Sequence, residues 1–221
     1  MKNNILTERQ ICLLELIGQN TALAKDFYFT GGTALAALYL KHRYSEDLDF
    51  FSEKEIAVSG ITVFWESIRE KLKIIKIDFE QSYNRNLFFL HFPDKEVIKT
   101  EFTFFPFPPI EEQKKFLGVK TDSLLDIAAN KLFTIYQKTR ARDYIDLYFI
   151  FQNTDLTMTK LVKMTKAKFD WHLDPLQLGT QFSKAIEAID YPRMIKPIEE
   201  KVWQNFFLAE AKKLSKQILT D

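Results

Sequence analysis

One cysteine, Cys12, in 221 residues excludes an intrachain disulfide framework. It sits in an apolar, helix-like run and reads as a core residue. Three scattered histidines, His42, His91 and His172, offer no zinc-ligand spacing, so zinc, thiol and serine-triad chemistry are set aside. His42 reads as a surface histidine at a helix end. No apolar stretch approaches the ~18 residues that a bilayer span requires. Residues 1–4 lead into an amphipathic segment rather than a signal peptide, which predicts a cytoplasmic chain. Neither sign of charge dominates: the net +1 argues against a protein that coats nucleic acid by bulk electrostatics, while leaving a local basic groove open. Repeats and low-complexity tracts are absent too. What is abundant is phenylalanine, 21 residues, enough to predict an aromatic-rich core.

Against that background Gly31-Gly32-Thr33, followed by Asp47-Leu48-Asp49, stands out. A glycine pair opening a helix suits phosphate, because free helical N–H groups point at an anion and no Cβ blocks its approach. An Asp-x-Asp on a strand directs both carboxylates to one face. Hard oxygen ligands side by side suit Mg²⁺ carrying a nucleoside triphosphate, with two ions about 4 Å apart as the expected arrangement. Alone, each motif is ordinary: a Gly-Gly is usually a turn and an Asp-x-Asp usually a solvated edge. Their setting joins them. Residues 27–30 are β-prone, residues 33–40 favour a helix that Thr33 could cap, and residues 47–51 are β-prone again. That order places glycines and aspartates at one end of a small sheet and suggests nucleotidyl transfer.

Elsewhere, residues 7–19 read as a helix with Thr7 as N-cap and Gly18 near its end, and residues 58–71 as a second. Strand-like runs follow at 73–81, 86–92 and 97–105, with a turn at Asn84-Arg85-Asn86. Phe105-Pro106-Phe107-Pro108-Pro109 should end the sheet. Beyond about residue 121 everything reads as helix: 123–138, 142–152, 157–169, 175–190 and 196–218.

Tyr28-Phe29-Thr30-Gly31-Gly32-Thr33-Ala34-Leu35 and Arg43-Tyr44-Ser45-Glu46-Asp47-Leu48-Asp49-Phe50 together resemble the opening motif of the AbiEii/AbiGii-type, MenT-like nucleotidyltransferases, within the polymerase-β-like superfamily. Lys131 and Arg140-Ala141-Arg142-Asp143-Tyr144-Ile145-Asp146-Leu147-Tyr148 resemble the family's downstream lysine and acidic helix, so the likeness runs from about residue 27 to 150. Gly-Thr here replaces the usual Gly-Ser and keeps the hydroxyl; the gap to Asp-x-Asp is longer than in minimal nucleotidyltransferases. The resemblance implies an α+β, nucleotidyltransferase-fold mixed sheet with flanking helices, followed by a helical C-terminal half. It suggests a core at residues 1–115 and a helical domain at 116–221 that completes the active-site cleft. It further implies a magnesium-dependent enzyme that moves NMP from an NTP to a hydroxyl, with RNA, in particular the tRNA 3′ end, as acceptor. The setting would be a toxin–antitoxin or abortive-infection system with a winged-helix antitoxin as partner. A protein side chain or a small molecule is the rival acceptor, and a catalytically silent interaction module is the rival class.

Asp47 and Asp49 are then the metal pair. In residues 97–105, alternation puts Lys99, Glu101 and Thr103 on one face, which makes Glu101 the candidate third ligand or general base; a salt bridge to Lys99 or another lysine is the ordinary alternative. Asp78 and Glu80 are weaker candidates. Lys131 lies in an apolar arc with Leu124, Ile127, Ala128 and Ile135; it either snorkels to water or reaches a phosphate. Asp143 and Asp146 share a helical face, and the resemblance makes one of them an essential acid, Asp143 first. Near a helix start they could equally serve the macrodipole. Arg140 and Arg142 could pair internally or bind phosphate. Arg43 is a further phosphate candidate, or a surface charge beside Glu46.

Overall fold

The structure, a computed structural model, describes residues 5–218. Residues 1–4, where the reading of the N-terminus falls, lie outside that range. The chain divides into two compact units. The first runs to Ala37 and takes up Ser45–Pro108 and Glu112–Asp122; the second comprises Leu38–Tyr44, Pro109–Glu111 and everything from Ser123.

In the first unit, α1 (Glu8–Gln19) starts where the sequence predicts, with a capping box between Thr7 and Gln10. Gly18 falls near the helix end, as expected, and has a further role. A Cβ there would fall 2.2 Å from the Leu117 carbonyl oxygen, so glycine is required for a close backbone crossing. The short helix α2 (Thr21–Asp26) leads to β1 (Tyr28–Thr30). The next helix begins at the glycines rather than at Thr33: α3 (Gly31–Ala34) continues as a π-helix over Leu35–Leu40. Thr33 does not cap it, since its hydroxyl instead donates to Ser45 Oγ (2.9 Å).

There follow β2 (Leu48–Ser52), α4 (Val58–Leu72), β3 (Lys76–Ser82), β4 (Arg85–His91) and β5 (Val97–Phe104). Strand β3 starts later than predicted because Lys73 caps α4 in the left-handed conformation. The prolines after Phe105 do not finish the sheet. Two short strands, β6 (Lys114–Phe116) and β7 (Val119–Thr121), form a hairpin that adds to it, β7 running parallel to β1. Three-residue strands rich in lysine carry too little period-two signal to be legible beforehand. The resulting mixed sheet has seven strands in the order β3-β4-β5-β2-β1-β7-β6.

The core beneath it is aromatic, as expected. Phe50 and Phe102 stack at 5.0 Å, and Phe102 also meets Phe27, Trp65 and Phe88. Such pairs contribute about 0.5–1.5 kcal/mol each beyond the area they bury, and they hold the adjacent strands β2 and β5 in register. Cys12 is half-buried rather than a core residue.

The second unit is helical: α5 (Leu124–Gln137), α6 (Ala141–Gln152), α7 (Met158–Phe169), α8 (Pro175–Ser183) with a 3₁₀ turn at Lys184–Glu187, and α9 (Glu200–Ile218). The last begins after Pro197 rather than at 196, since a residue before proline is driven out of the helical region. Residues 38–44 belong here because later chain clamps them. Tyr44 N–H donates to the Arg193 carbonyl (2.9 Å), Ile195 and Lys196 N–H to the His42 carbonyl (2.9 Å each), and Lys196 Nζ to the Leu40 carbonyl (2.8 Å).

Candidate active site

Strands β2 and β5 are parallel neighbours with Asp49 opposite Glu101, so the two carboxylates share one face of the sheet. Asp49 also lies on the glycine turn. Gly31 has φ +76°, and a Cβ built on it would fall 2.3 Å from Asp49 Oδ2 and 3.0 Å from its Cγ. Only glycine serves there, both for the backbone angle and because the carboxylate occupies the space. Asp47, just ahead of β2, receives Lys99 Nζ at 2.7 Å, and the same ammonium lies 3.9 Å from Glu101. Arg85 opens β4 and grips Glu101 in a fork, Nε to Oε1 at 2.6 Å and Nη2 to Oε2 at 2.5 Å.

Burial works against the Glu101 charge. The hydrogen bonds from Arg85 and Thr103, with the Lys99 charge, outweigh it and hold the carboxyl below its ordinary range. Arg85 in turn is pushed up, first by its Glu101 bond and then by the fields of Asp49 and Asp47. Glu101 alone bonds the guanidinium, with Asp47 and Asp49 acting on it through their charge. Asp78 and Glu80 stay out on β3, and Asp78 is held by Lys76 and His91 at 2.8 Å each.

As donors, Asp47 and Asp49 fit a hard divalent cation. Glu101, expected as the third ligand, is here the counter-ion of Arg85. Among the described residues no group of three or more Asp, Glu, His or Cys side chains is gathered for a metal ion. The sequence hides Arg85 because it falls where Asn84-Arg85-Asn86 reads as a turn, whereas it is already the first residue of β4, opposite Thr103.

A second charged cluster lies in the helical unit. Lys131 of α5 is neither snorkelling nor extended: its ammonium sits 2.7 Å from both Asp143 and Asp146 of α6. Arg140 takes the other oxygen of Asp143 (2.6 Å). Arg43 is no surface charge. It is buried and forks onto Asp146 at 2.6 and 2.8 Å. His42, expected at the surface, is wholly buried, with Nε2 2.8 Å from the same Asp146. The cause is the clamp on residues 40–44, which turns two consecutive basic side chains inward. Arg142, grouped with these by sequence, is exposed.

Burial opposes the Asp146 charge, but Lys131, Arg43 and the His42 hydrogen bond overcome it, and the carboxyl ionises well below its usual range. For His42 the balance reverses: desolvation exceeds the help from Asp146, its pKa falls, and the ring is neutral at pH 7.

Comparison with known proteins bears on the family and the fold: the mixed seven-stranded sheet with flanking helices recurs in nucleotidyltransferases. The profile of the AbiEii nucleotidyl transferase toxins of type IV toxin–antitoxin systems matches residues 15–213, and the chain belongs to that family. An uncharacterized protein of Aquifex aeolicus is 30% identical over 149 residues, 66% of this chain and 68% of that protein. The fold recurs in MenT4, a nucleotidyltransferase toxin of Mycobacterium tuberculosis, with TM-score 0.66 and 16% identity over 94% of this chain and 82% of that one. It recurs also in JHP933 from Helicobacter pylori, with TM-score 0.61 and 20% identity over 100% and 97%. The chain is thus a nucleotidyltransferase. Among the described residues no helix is long and apolar enough to cross a membrane.

Proposed function

We propose that this nucleotidyltransferase uses Mg²⁺ to move NMP from an NTP to a hydroxyl of RNA, the tRNA 3′ end being the favoured acceptor. It would do so in the cytoplasm as the toxin of a system whose winged-helix antitoxin restrains it. The observation that carries the reading is the seating of Asp49 on Gly31, beside Glu101 across the parallel strands. This joins an acidic, cation-seeking group to a helix start whose N-cap, Thr30, makes no side-chain cap bond.

A divalent cation bound there would neutralise phosphate charge and make an incoming hydroxyl a better nucleophile. Asp47 and Asp49 would hold it, and the amides at Gly31, Gly32 and Thr33 would receive phosphate oxygens. Glu101 keeps Arg85 beside the two aspartates. Asp143 and Asp146 fix the positions of Lys131, Arg140 and Arg43, whose charge surplus suits an anion; Arg142, exposed on the same helix, is a further phosphate candidate.

The test is incubation with each labelled NTP, Mg²⁺ and total RNA. Label should appear in RNA and pyrophosphate in solution. The Asp49→Asn variant should lose this transfer at an unchanged melting temperature, because an amide has nearly the carboxylate's shape and binds Mg²⁺ poorly. Unchanged turnover by that variant would sink the mechanism. Label on protein or on a small molecule instead would redirect the acceptor.

A further inference from the structure

Helix α7 carries Lys160, Lys163, Lys166 and Lys168 and no acidic residue. No other described helix has cations without at least one acid. Lys168 is buried and neutralised by Asp126 at 2.7 Å. Of the other three, at i, i+3 and i+6, Lys160 and Lys163 are exposed and Lys166 is half-buried, and none makes a hydrogen bond or ion pair among the described residues. Like charges at this spacing repel along a helix. Lys160 is also placed in the first turn, the positive end of the helix dipole, where a cation is unfavourable. Lys166, in the last turn, meets the negative end of the dipole, so the net cost to the helix is small.

The stripe ends at Trp171, 57% exposed. Its backbone N–H donates to the Lys166 carbonyl (3.3 Å), and its ring stands edge-on to Phe133, which is itself stacked on Phe169 at 3.9 Å. A large aromatic is therefore fixed at the end of a row of unpaired cations. The row rises about 9 Å from Lys160 to Lys166, roughly three phosphates along one stacked strand at ~3.4 Å each.

We propose that this face of α7 binds the phosphate backbone of single-stranded RNA, with Trp171 stacking on a base at the end of the bound stretch. Evenly spaced ammonium groups read backbone charge and not sequence, while an aromatic platform accepts any base. The proposal deepens the reading of RNA as acceptor and rests on it for the identity of the polyanion.

The test uses the full chain without NTP or divalent cation. Fluorescence anisotropy of a labelled single-stranded RNA dodecamer is measured from 50 to 300 mM KCl. The triple variant Lys160→Gln/Lys163→Gln/Lys166→Gln should bind about tenfold more weakly at 100 mM salt. Its slope of log affinity against log salt should be shallower by about 2, as three lost phosphate contacts require. Trp171→Ala should also weaken binding about tenfold but leave the slope unchanged, since stacking releases no counterions. Melting curves of both variants should match the parent. Replacing the three lysines with arginine should preserve affinity.

Wild-type affinity and slope in the triple variant overturn the proposal, as does absence of RNA binding by the parent at 50 mM salt. Preference for phosphatidylserine vesicles over RNA overturns it in favour of a membrane surface. The outcomes separate from those of the transfer assay. Stripe-dependent binding with no transfer to RNA leaves this proposal standing without the enzymatic one. Transfer to RNA with an unchanged RNA KM in the triple variant does the reverse.

Discussion

On the sheet, Asp47, Asp49 and Glu101 outnumber the two cations beside them, and solvent reaches Asp47 and Arg85, whose side chains are 42% and 47% exposed. In the helical unit Lys131, Arg43 and Arg140 outnumber Asp143 and Asp146, and both carboxylates are sealed from water. The first cluster is partly open to solvent at Asp47 and Arg85, which is why the proposed cation is placed there. The second has each acid bonded by at least two donors inside a low-dielectric interior, where removing one member leaves the others stranded. Residues that look equivalent as motif members therefore do different physical work: one group is poised to bind, the other to hold positions.

Lys131→Met is the strongest way to break that contrast. It leaves two buried carboxylates short of a partner, and we expect a loss of about 3 kcal/mol, from the range for breaking buried pairs. For a chain of this size that is a fall of roughly 10 °C in melting temperature. Calorimetry on this variant beside Asp49→Asn, which should melt like the parent, checks it; equal melting temperatures for all three would erase the distinction. Read from sequence, the same substitution admits two outcomes, both at unchanged or higher stability. The buried double pairing supplies the third.

Gly31→Ala should cost about 1–2 kcal/mol for the positive φ, and its transfer activity should suffer far more. The added Cβ meets the mobile end of Asp49, so the carboxylate moves aside while the backbone largely stays. Near-parental activity at reduced stability would show that Asp49 is not needed in its place.

Acid should act on the buried cluster in two stages. His42 has a folded pKa below its unfolded value of about 6.5. The unfolded chain therefore binds the extra proton first, and stability should begin to fall as pH drops below 6.5. Asp146 is depressed, so its contribution is full above the unfolded carboxylate pKa of about 3.9 and is lost as pH falls toward its folded value. Denaturant melts from pH 8 to 3 on the parent and on His42→Gln should differ in the upper stage alone. The smallest effect belongs to Arg85→Gln. Half-exposed, Arg85 should contribute under about 1 kcal/mol, yet its removal should tighten Mn²⁺ binding by calorimetry, since a competing cation has gone.

Much of the fold was legible because its signals are local. Thr7 with Gln10 announces a capping box, and the apolar spacing of residues 58–72 and 124–137 announces two helices. The shared face of Asp49 and Glu101 follows from period two once their strands are recognised. What stayed hidden depends on distant chain. The close crossing that requires Gly18 stays hidden, although its place near the helix end is legible, because the Leu117 carbonyl lies far along the sequence. His42 reads as a surface residue, and Arg43 as a phosphate candidate or a surface charge, because the segment at 193–196 that turns them inward has no motif of its own. Arg85 needed the register of β4 against β5 before its grip on Glu101 could be seen.

The clamp on residues 40–44 also sets an order in time. His42 and Tyr44 find backbone partners at Arg193, Ile195 and Lys196, and the Leu40 carbonyl accepts from the Lys196 ammonium. At ribosomal rates of about 5–20 residues per second, that partner segment emerges roughly ten to thirty seconds after the segment it holds. Until then Arg43 and His42 have no fixed path to Asp146. A growing chain can pair the sheet strands and seat Asp49 on Gly31 while its second charged cluster is still unassembled. Chains arrested before residue 193 would therefore hold Asp49 on Gly31 with Arg43 still loose.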